Sequence, residues 1–147
     1  MEYKNVVCPI DGTELTLKGE DAGAYVCKIS GAKLILVHVV EKWYRSTHMA
    51  TDSQEWAEIH QGWLDDGNAL LDKEAARLKE LGVKEVETVL RDGEAAYEVV
   101  AVAKERNADL IVMATHHYST VGKLFMGSVT DRVTKRSPCP VLWVFNK

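Results

Sequence analysis

Four short runs of consecutive apolar residues constrain the fold of this chain more than any other feature. They are NVVCPI (5–10), AKLILVHVV (32–40), ADLIVMAT (108–115) and PVLWVF (140–145). None alternates apolar with polar residues, so each is predicted to be a strand covered on both faces, as in a parallel sheet flanked by helices. A fifth run, VKEVETVL (83–90), alternates in part and predicts a strand near the edge of that sheet.

Segments with the periodicity of amphipathic helices lie between these strands, at 13–30, 54–81, 94–106 and 127–136. In the longest, 54–81, the apolar residues predicted to face the core are Trp56, Ile59, Trp63, Leu70, Leu71, Ala75 and Leu78. Five strands alternating with four helices predict a doubly wound, three-layer α/β/α fold around a five-stranded parallel sheet. We expect a single domain over residues 1–147, because no linker, repeat or low-complexity tract interrupts the pattern.

The composition narrows the classes of partner. A formal net charge of −4 provides no broad basic surface for nucleic acid or an anionic membrane. No run reaches the roughly 18 apolar residues of a membrane-spanning helix, and the N-terminus MEYKNVVCPID lacks the pattern of a signal peptide. Cys8, Cys27 and Cys139 are far apart and form no CxxC, which favours reduced, buried thiols. We therefore expect a cytoplasmic protein without a nucleic-acid or membrane partner.

Two strand ends carry polar groups suited to a ligand, which parallel α/β sheets bind beyond the carboxyl ends of their strands. Asp11 follows the first run, where Gly12 permits a tight turn. Two roles remain open for Asp11: an acceptor for ribose hydroxyls or an adenine amino group, or an N-cap that stabilises the next helix by about 1 kcal/mol. The run at 108–115 leads into a polar loop and then a helix opening at Gly127, whose free N–H groups favour an anion.

Five segments in order resemble the universal stress protein family: VVCPIDGTE, LILVHVVE, ADLIVMATHH, LFMGSVTDRV and SPCPVLWV. The resemblance spans nearly the whole chain. It implies the adenine nucleotide alpha hydrolase-like fold with strand order 3-2-1-4-5, and a homodimer. One branch of the family also binds ATP. The resemblance places the dimer contact on the C-terminal strand, 140–145, where an apolar sheet edge would invite pairing with a second copy.

The ATP-binding branch carries a loop with three spaced glycines, the last followed by Ser or Thr. On this chain those positions fall at Ala114, His117, Gly127 and Ser128, so two of the three glycines are absent. The resemblance implies base and ribose contacts at Asp11 and at the backbone of Val39 and Pro9. It implies phosphate contacts at residue 117 and at Gly127, Ser128, Val129 and Thr130.

The two missing glycines differ in their expected effect. Ala114 adds one methyl group where the backbone should be extended, which is tolerable unless that methyl points at the sugar. His117 places a side chain where glycine would offer a bare N–H, and a strained backbone there would cost about 1–3 kcal/mol. ATP binding is therefore expected to be weak or absent. The N-terminus of the last helix, the hydroxyls of Ser128 and Thr130, and the charge of Lys123 act in the opposite direction.

We expect a homodimeric stress-response module for binding or signalling with a degraded nucleotide crevice, rather than an enzyme. The alternative is an ATP- or AMP-binding member of the family with slow ATP hydrolysis, for which ATP with magnesium is the cofactor. The sequence contains no recognisable motif for a catalytic nucleophile or for metal binding. The adjacent residues His116 and His117 are not expected to bind one metal ion together. The chain lacks the motifs of an adenylyl-transferring enzyme and those of a phospho-receiver domain, so neither class is favoured. The tryptophan-rich segment 43–63 either packs on the core through Trp56 and Trp63 or covers the crevice or a partner.

Overall fold

The computed structural model of the chain describes residues 2–41, 53–116 and 127–146. Strands and helices alternate along the described residues. In chain order they are β1 (Asn5–Pro9), α1 (Glu14–Ser30), β2 (Lys33–Glu41), α2 (Gln54–Glu80), β3 (Val86–Gly93), α3 (Ala95–Glu105), β4 (Leu110–His116), α4 (Ser128–Arg136) and β5 (Val141–Asn146). Each element overlaps the segment predicted for it from the sequence.

The strands form one five-stranded parallel sheet in the order β3-β2-β1-β4-β5, which confirms the expected topology. The chain winds outward from β1 to β3 and then returns through α3 to β4 on the other side of β1. The direction of winding therefore reverses between β1 and β4. In folds of this type, the gap at that reversal opens at the carboxyl ends of the strands.

Two apolar cores lie on opposite faces of the sheet. On one face α1 and α2 bury residues such as Cys27 and Leu78 against β1, β2 and β4. On the other face α3 and α4 bury residues such as Val99 and Val133 against the same strands. Successive residues of one strand, for example Val6 and Val7, enter different cores, as the two-residue period of a strand requires. This two-sided burial explains why the strand runs are continuously apolar.

The helix ends follow local capping chemistry. The Thr13 side chain accepts a hydrogen bond from the backbone N–H of Thr16 at the start of α1, and Ser53 does the same for Trp56 at the start of α2. Gly31 ends α1 at a φ of 76°, a left-handed conformation that glycine adopts without strain. No helix in the described part of the chain is both long and apolar enough to cross a membrane.

Two sequence expectations need correction. The edge strand was expected at 83–90, but β3 covers Val86–Gly93, because Val83 is buried in the preceding turn instead. In α2, Trp56 packs on Val40 as expected, whereas Ile59 and Trp63 are 39% and 37% exposed. The N-terminal half of α2 still contacts the sheet, because the Nε2 atom of His60 lies 2.7 Å from the Asp92 carboxylate of β3.

The three cysteines are free thiols. Cys8 and Cys27 are buried, and burial raises the pKa of both, to about 12 for Cys27. Cys139 was also expected in the core, but it is only partly buried, because it lies in the turn before β5, where the hydroxyl of Ser137 contacts it. Burial again raises its pKa. Thiols of this kind are inert at neutral pH.

Candidate functional site

A cavity of about 400 Å³ opens at the carboxyl ends of β1, β2 and β4, where the winding reverses. Its volume is within the range of small-molecule sites, roughly 300–1,000 Å³. Every described residue predicted for the site lines it, namely Pro9, Asp11, Val39, Ala114, Gly127, Ser128, Val129 and Thr130. The structure therefore brings together residues from four separate parts of the chain.

The loop between β1 and α1 is organised around the carboxylate of Asp11. Its Oδ1 accepts hydrogen bonds from the backbone N–H of Thr13 at 2.9 Å and from the hydroxyls of Thr13 and Thr16 at 2.6 and 3.0 Å. Asp11 is thus not the N-cap of α1, because Thr13 occupies that position. Asp11 is exposed and lines the cavity, so its carboxylate is both a brace for the loop and accessible to a ligand.

The start of α4 faces the cavity and is tied to the end of β4. The buried hydroxyl of Thr115 accepts a hydrogen bond of 3.2 Å from the backbone N–H of Gly127, the N-cap residue. The next backbone N–H groups, those of Ser128, Val129 and Thr130, begin the helix and have no partner within its hydrogen-bonding pattern. Together with the helix dipole they favour a negative charge in the cavity.

The methyl group of Ala114 lies toward helix α1. A Cβ atom placed on Gly19 would be 3.2 Å from the backbone nitrogen of Ala114 and 3.4 Å from its methyl carbon. The absence of a side chain at Gly19 therefore makes room for the alanine. Ala114 still lines the cavity, but the replacement of glycine at this position is accommodated on the α1 side of the sheet.

The end of β2 supplies an acid that the sequence analysis did not identify. Glu41 lines the cavity together with Val39, Ala95 and Val99. Partial burial raises the pKa of its carboxyl group, and the neighbouring charge of Glu94 adds to this, while a hydrogen bond from the backbone N–H of Ala95 acts in the opposite direction. An acidic residue ending a buried strand was the signal used for Asp11, and it could have identified Glu41 as well.

A histidine fixes the strand beneath the cavity. The Nδ1 atom of His38 lies 2.9 Å from the backbone carbonyl oxygen of Ile10, which follows β1. Gly67 of α2 sits directly beside this ring, since a Cβ there would be 2.9 Å from the His38 Cδ2 atom. The segment that follows β1 and includes Asp11 is thereby held against β2.

Two predicted site residues, His117 and Lys123, lie outside the described residues, as do Trp43 and most of the polar stretch that follows it. Of the tryptophan-rich segment, Trp56 stacks on His60 with ring centroids 6.0 Å apart and meets Trp63 edge to face at 6.3 Å. Within residues 2–41, 53–116 and 127–146, no group of three or more potential metal ligands comes together.

Comparisons with known proteins agree with this architecture. The model of the universal stress protein family matches residues 2–144. Universal stress protein MJ0531 of Methanocaldococcus jannaschii is 32% identical over 143 residues, covering 97% of this chain and 82% of that protein. Universal stress protein YxiE of Bacillus subtilis is 29% identical over 147 residues, covering 97% of this chain and 99% of that protein.

Solved structures show the same fold. Universal stress protein UspA from Lactobacillus plantarum superposes with a TM-score of 0.83 at 17% identity, covering 98% of this chain and 99% of that one. A universal stress protein in complex with cAMP has a TM-score of 0.72 at 24% identity, with full coverage of both chains. The Archaeoglobus fulgidus protein in complex with dAMP has a TM-score of 0.68 at 19% identity, covering 97% and 98%.

The parallel sheet, its winding reversal and the crevice beside β1 define a doubly wound α/β protein with a ligand-sized site at the switch point. The family match covers almost the entire length of the sequence. The chain belongs to the universal stress protein family.

Proposed function

We propose that the chain is a homodimeric cytoplasmic binding or signalling module whose crevice holds an adenine nucleotide with a short phosphate group, and binds ATP weakly. The observation that carries this proposal is the convergence on one cavity of Asp11, Val39 and the N-terminus of α4. No residue of the crevice is assigned a catalytic role. The proposed role is binding and not catalysis.

The polar groups of the cavity match the parts of a nucleotide in position as well as in type. The N–H groups at the start of α4, which have no partner within the helix, suit a phosphate, and the exposed Asp11 carboxylate suits ribose hydroxyls. The base is assigned to the side of Val39, in β2. Strands β2 and β4 flank β1, and neighbouring strands are about 4.8 Å apart, so the base side and the phosphate side of the cavity are separated by about 10 Å. A nucleoside monophosphate spans such a distance.

Two considerations favour a short phosphate group over a triphosphate. His117 stands where the ATP-binding branch of the family has glycine, and an imidazole there would occupy space that β- and γ-phosphates need. Two of the similar solved structures contain cAMP and dAMP, which are both monophosphates of adenine nucleosides. The alanine at position 114, in contrast, costs little because Gly19 makes room for its methyl group.

Isothermal titration of the purified protein with AMP, and with ATP and magnesium, tests the proposal. We expect AMP to bind more tightly than ATP by roughly tenfold, the equivalent of about one charge-assisted hydrogen bond. In His117→Gly the affinity for ATP should rise by about the same factor, while that for AMP changes little. Equal affinities in the unmodified protein would show that His117 does not exclude the triphosphate, and no binding of either nucleotide would refute the nucleotide function.

The dimer proposal rests on the outer edge of β5. In the described residues β5 pairs only with β4, and the backbone groups of alternate residues such as Trp143 point away from β4. Leu142 is 41% exposed on this strand. An apolar strand edge of this kind favours pairing with an identical strand of a second copy, related by a two-fold axis.

A further inference from the structure

Glu41 is the last residue of β2 and lies two residues after Val39. Because side chains alternate along a strand, both residues face the same side of the sheet, toward α3. Both line the cavity, and so do Ala95 and Val99 of α3. The carboxyl group of Glu41 therefore stands at the side of the cavity assigned above to the base.

The surroundings of Glu41 disfavour the charged form of its carboxyl group. Partial burial, first, and the charge of Glu94, second, raise the pKa of Glu41. The backbone N–H of Ala95 and the charge of Arg132 partly compensate. A further hydrogen-bond donor supplied by a ligand would stabilise the carboxylate, because a charged group in such a place gains more from a donor than one in bulk water.

The position of Glu41 is complementary to that of α4. Helix α4 meets the cavity from the β4 side and Glu41 from the β2 side, with β1 between them. A ligand with its phosphate at α4 keeps its negative charge away from Glu41 and directs its base toward it. This arrangement reduces the repulsion between the acid and the phosphate, which falls with distance.

We propose that Glu41 is a specificity-determining residue of the proposed nucleotide site, selecting bases that carry an exocyclic amino group by accepting a hydrogen bond from it. The inference depends on the proposed function, since it concerns the same crevice. It adds a chemical reason for adenine in preference to a purine without that group.

The test compares AMP with purine riboside 5′-monophosphate, which lacks only the 6-amino group, by isothermal titration. For the unmodified protein we expect AMP to bind about tenfold more tightly. In Glu41→Ala this ratio should fall to about one. Glu80→Ala is the control, because Glu80 is an exposed acid at the end of α2 that does not line the cavity, and it should keep the original ratio. Glu41→Leu, which retains bulk beside α3, should behave as Glu41→Ala does.

The outcomes separate this inference from the proposed function. An unmodified protein that binds both nucleotides equally, or a Glu41 variant that keeps the preference for AMP, would overturn the role of Glu41 and leave the nucleotide function intact. Loss of both affinities by the same factor would also overturn it, because that is the effect of merely loosening α3. Absence of binding by the unmodified protein would overturn the proposed function and the inference with it.

Discussion

Gly19 of α1 faces Ala114 of β4, a residue that lines the cavity. A Cβ on Gly19 would approach the Ala114 backbone nitrogen to 3.2 Å, a separation tighter than most contacts of this kind. The helix thus rests directly on the strand end that leads into the candidate phosphate site. Glycine is required here for close approach, and not for an unusual backbone angle.

Gly19→Ala should destabilise the protein by about 1–3 kcal/mol, because the added methyl group meets backbone that cannot yield easily. This is opposite to the gain of about 1 kcal/mol expected from the higher helix propensity of alanine. Gly62→Ala in α2 is the control, since nothing lies within 4 Å of its Cβ and the gain should appear. Urea unfolding measures both; a stabilised Gly19→Ala would show that α1 shifts freely.

The free energy of unfolding should fall as the pH rises from about 5 to 8, owing to a buried acid pair between α1 and α2. Glu20 is 1% exposed, and burial followed by the proximity of Glu74 raises its pKa to about 8. Its protonated carboxyl donates to Glu74, whose Oε1 also accepts from Nε of Arg77 at 2.9 Å. The folded protein holds this proton more tightly than the unfolded chain does, so stability is lost as the pH increases through that window.

Glu20→Gln should remove most of this pH dependence, because its amide retains a donor but does not titrate. We expect the variant to gain about 1 kcal/mol or more over the unmodified protein on going from pH 5 to pH 8, since one pKa unit corresponds to 1.36 kcal/mol. Urea unfolding at both pH values measures the difference. Glu80→Gln, at an exposed position of α2, is the control, and an unchanged pH dependence in Glu20→Gln would contradict the assignment.

Thr115→Val should weaken AMP binding by about tenfold and lower stability by about 1 kcal/mol. The substitution keeps the shape of the side chain but removes the oxygen that accepts from the Gly127 N–H. Thr115→Ser keeps that oxygen and should retain most of the affinity. Titration calorimetry and thermal unfolding of the two variants check this; equal behaviour of valine and serine would exclude an anchoring role for the hydroxyl.

Leu142→Lys should weaken the proposed dimer by at least tenfold, because it places a charge at the apolar edge of β5 in both copies. Leu81→Lys is the matched control, since Leu81 is exposed to a similar extent, 45% against 41%, but lies at the end of α2. Light scattering after size-exclusion chromatography over a range of concentrations gives the oligomeric state. A monomeric unmodified protein would refute the dimer, and a dimer unaffected by Leu142→Lys would place the contact elsewhere.

Sequence patterns predicted the parallel sheet and the layers because the buried strands are nearly continuous in apolar residues, a signal that few other structures produce. The strand order was implied by the resemblance to the universal stress protein family. The predicted bounds of the edge strand were three residues too early in the chain. The strand pairs with β2 through polar residues such as Arg91 and Asp92, while the apolar Val83 belongs to the turn before it. The prediction that Ile59 and Trp63 face the core was wrong for a related reason. Their spacing is helical, but periodicity alone does not reveal how much of each side chain the neighbouring elements cover.

The residues of the candidate site were proposed from the resemblance to the universal stress protein family and from the strand-end position of Asp11, but the contacts that support these residues were not foreseen. The bond between Thr115 and Gly127 and the fit of Ala114 against Gly19 depend on side chains brought together from distant parts of the chain. Nothing in the local sequence marks them. Glu41 carried a local signal, an acid at the end of a buried strand, and could have been found from the sequence alone.

Strand β4 is shared by the two surfaces on which the proposed function depends. Thr115, which holds the start of α4, lies beside Phe145 of β5 in the sheet register. Any shift of β5 upon self-association would therefore change the position of the neighbouring β4 and the geometry of the phosphate end of the crevice. Thermodynamic linkage then demands that the influence run equally both ways: whatever factor assembly applies to nucleotide affinity, the nucleotide must apply to assembly.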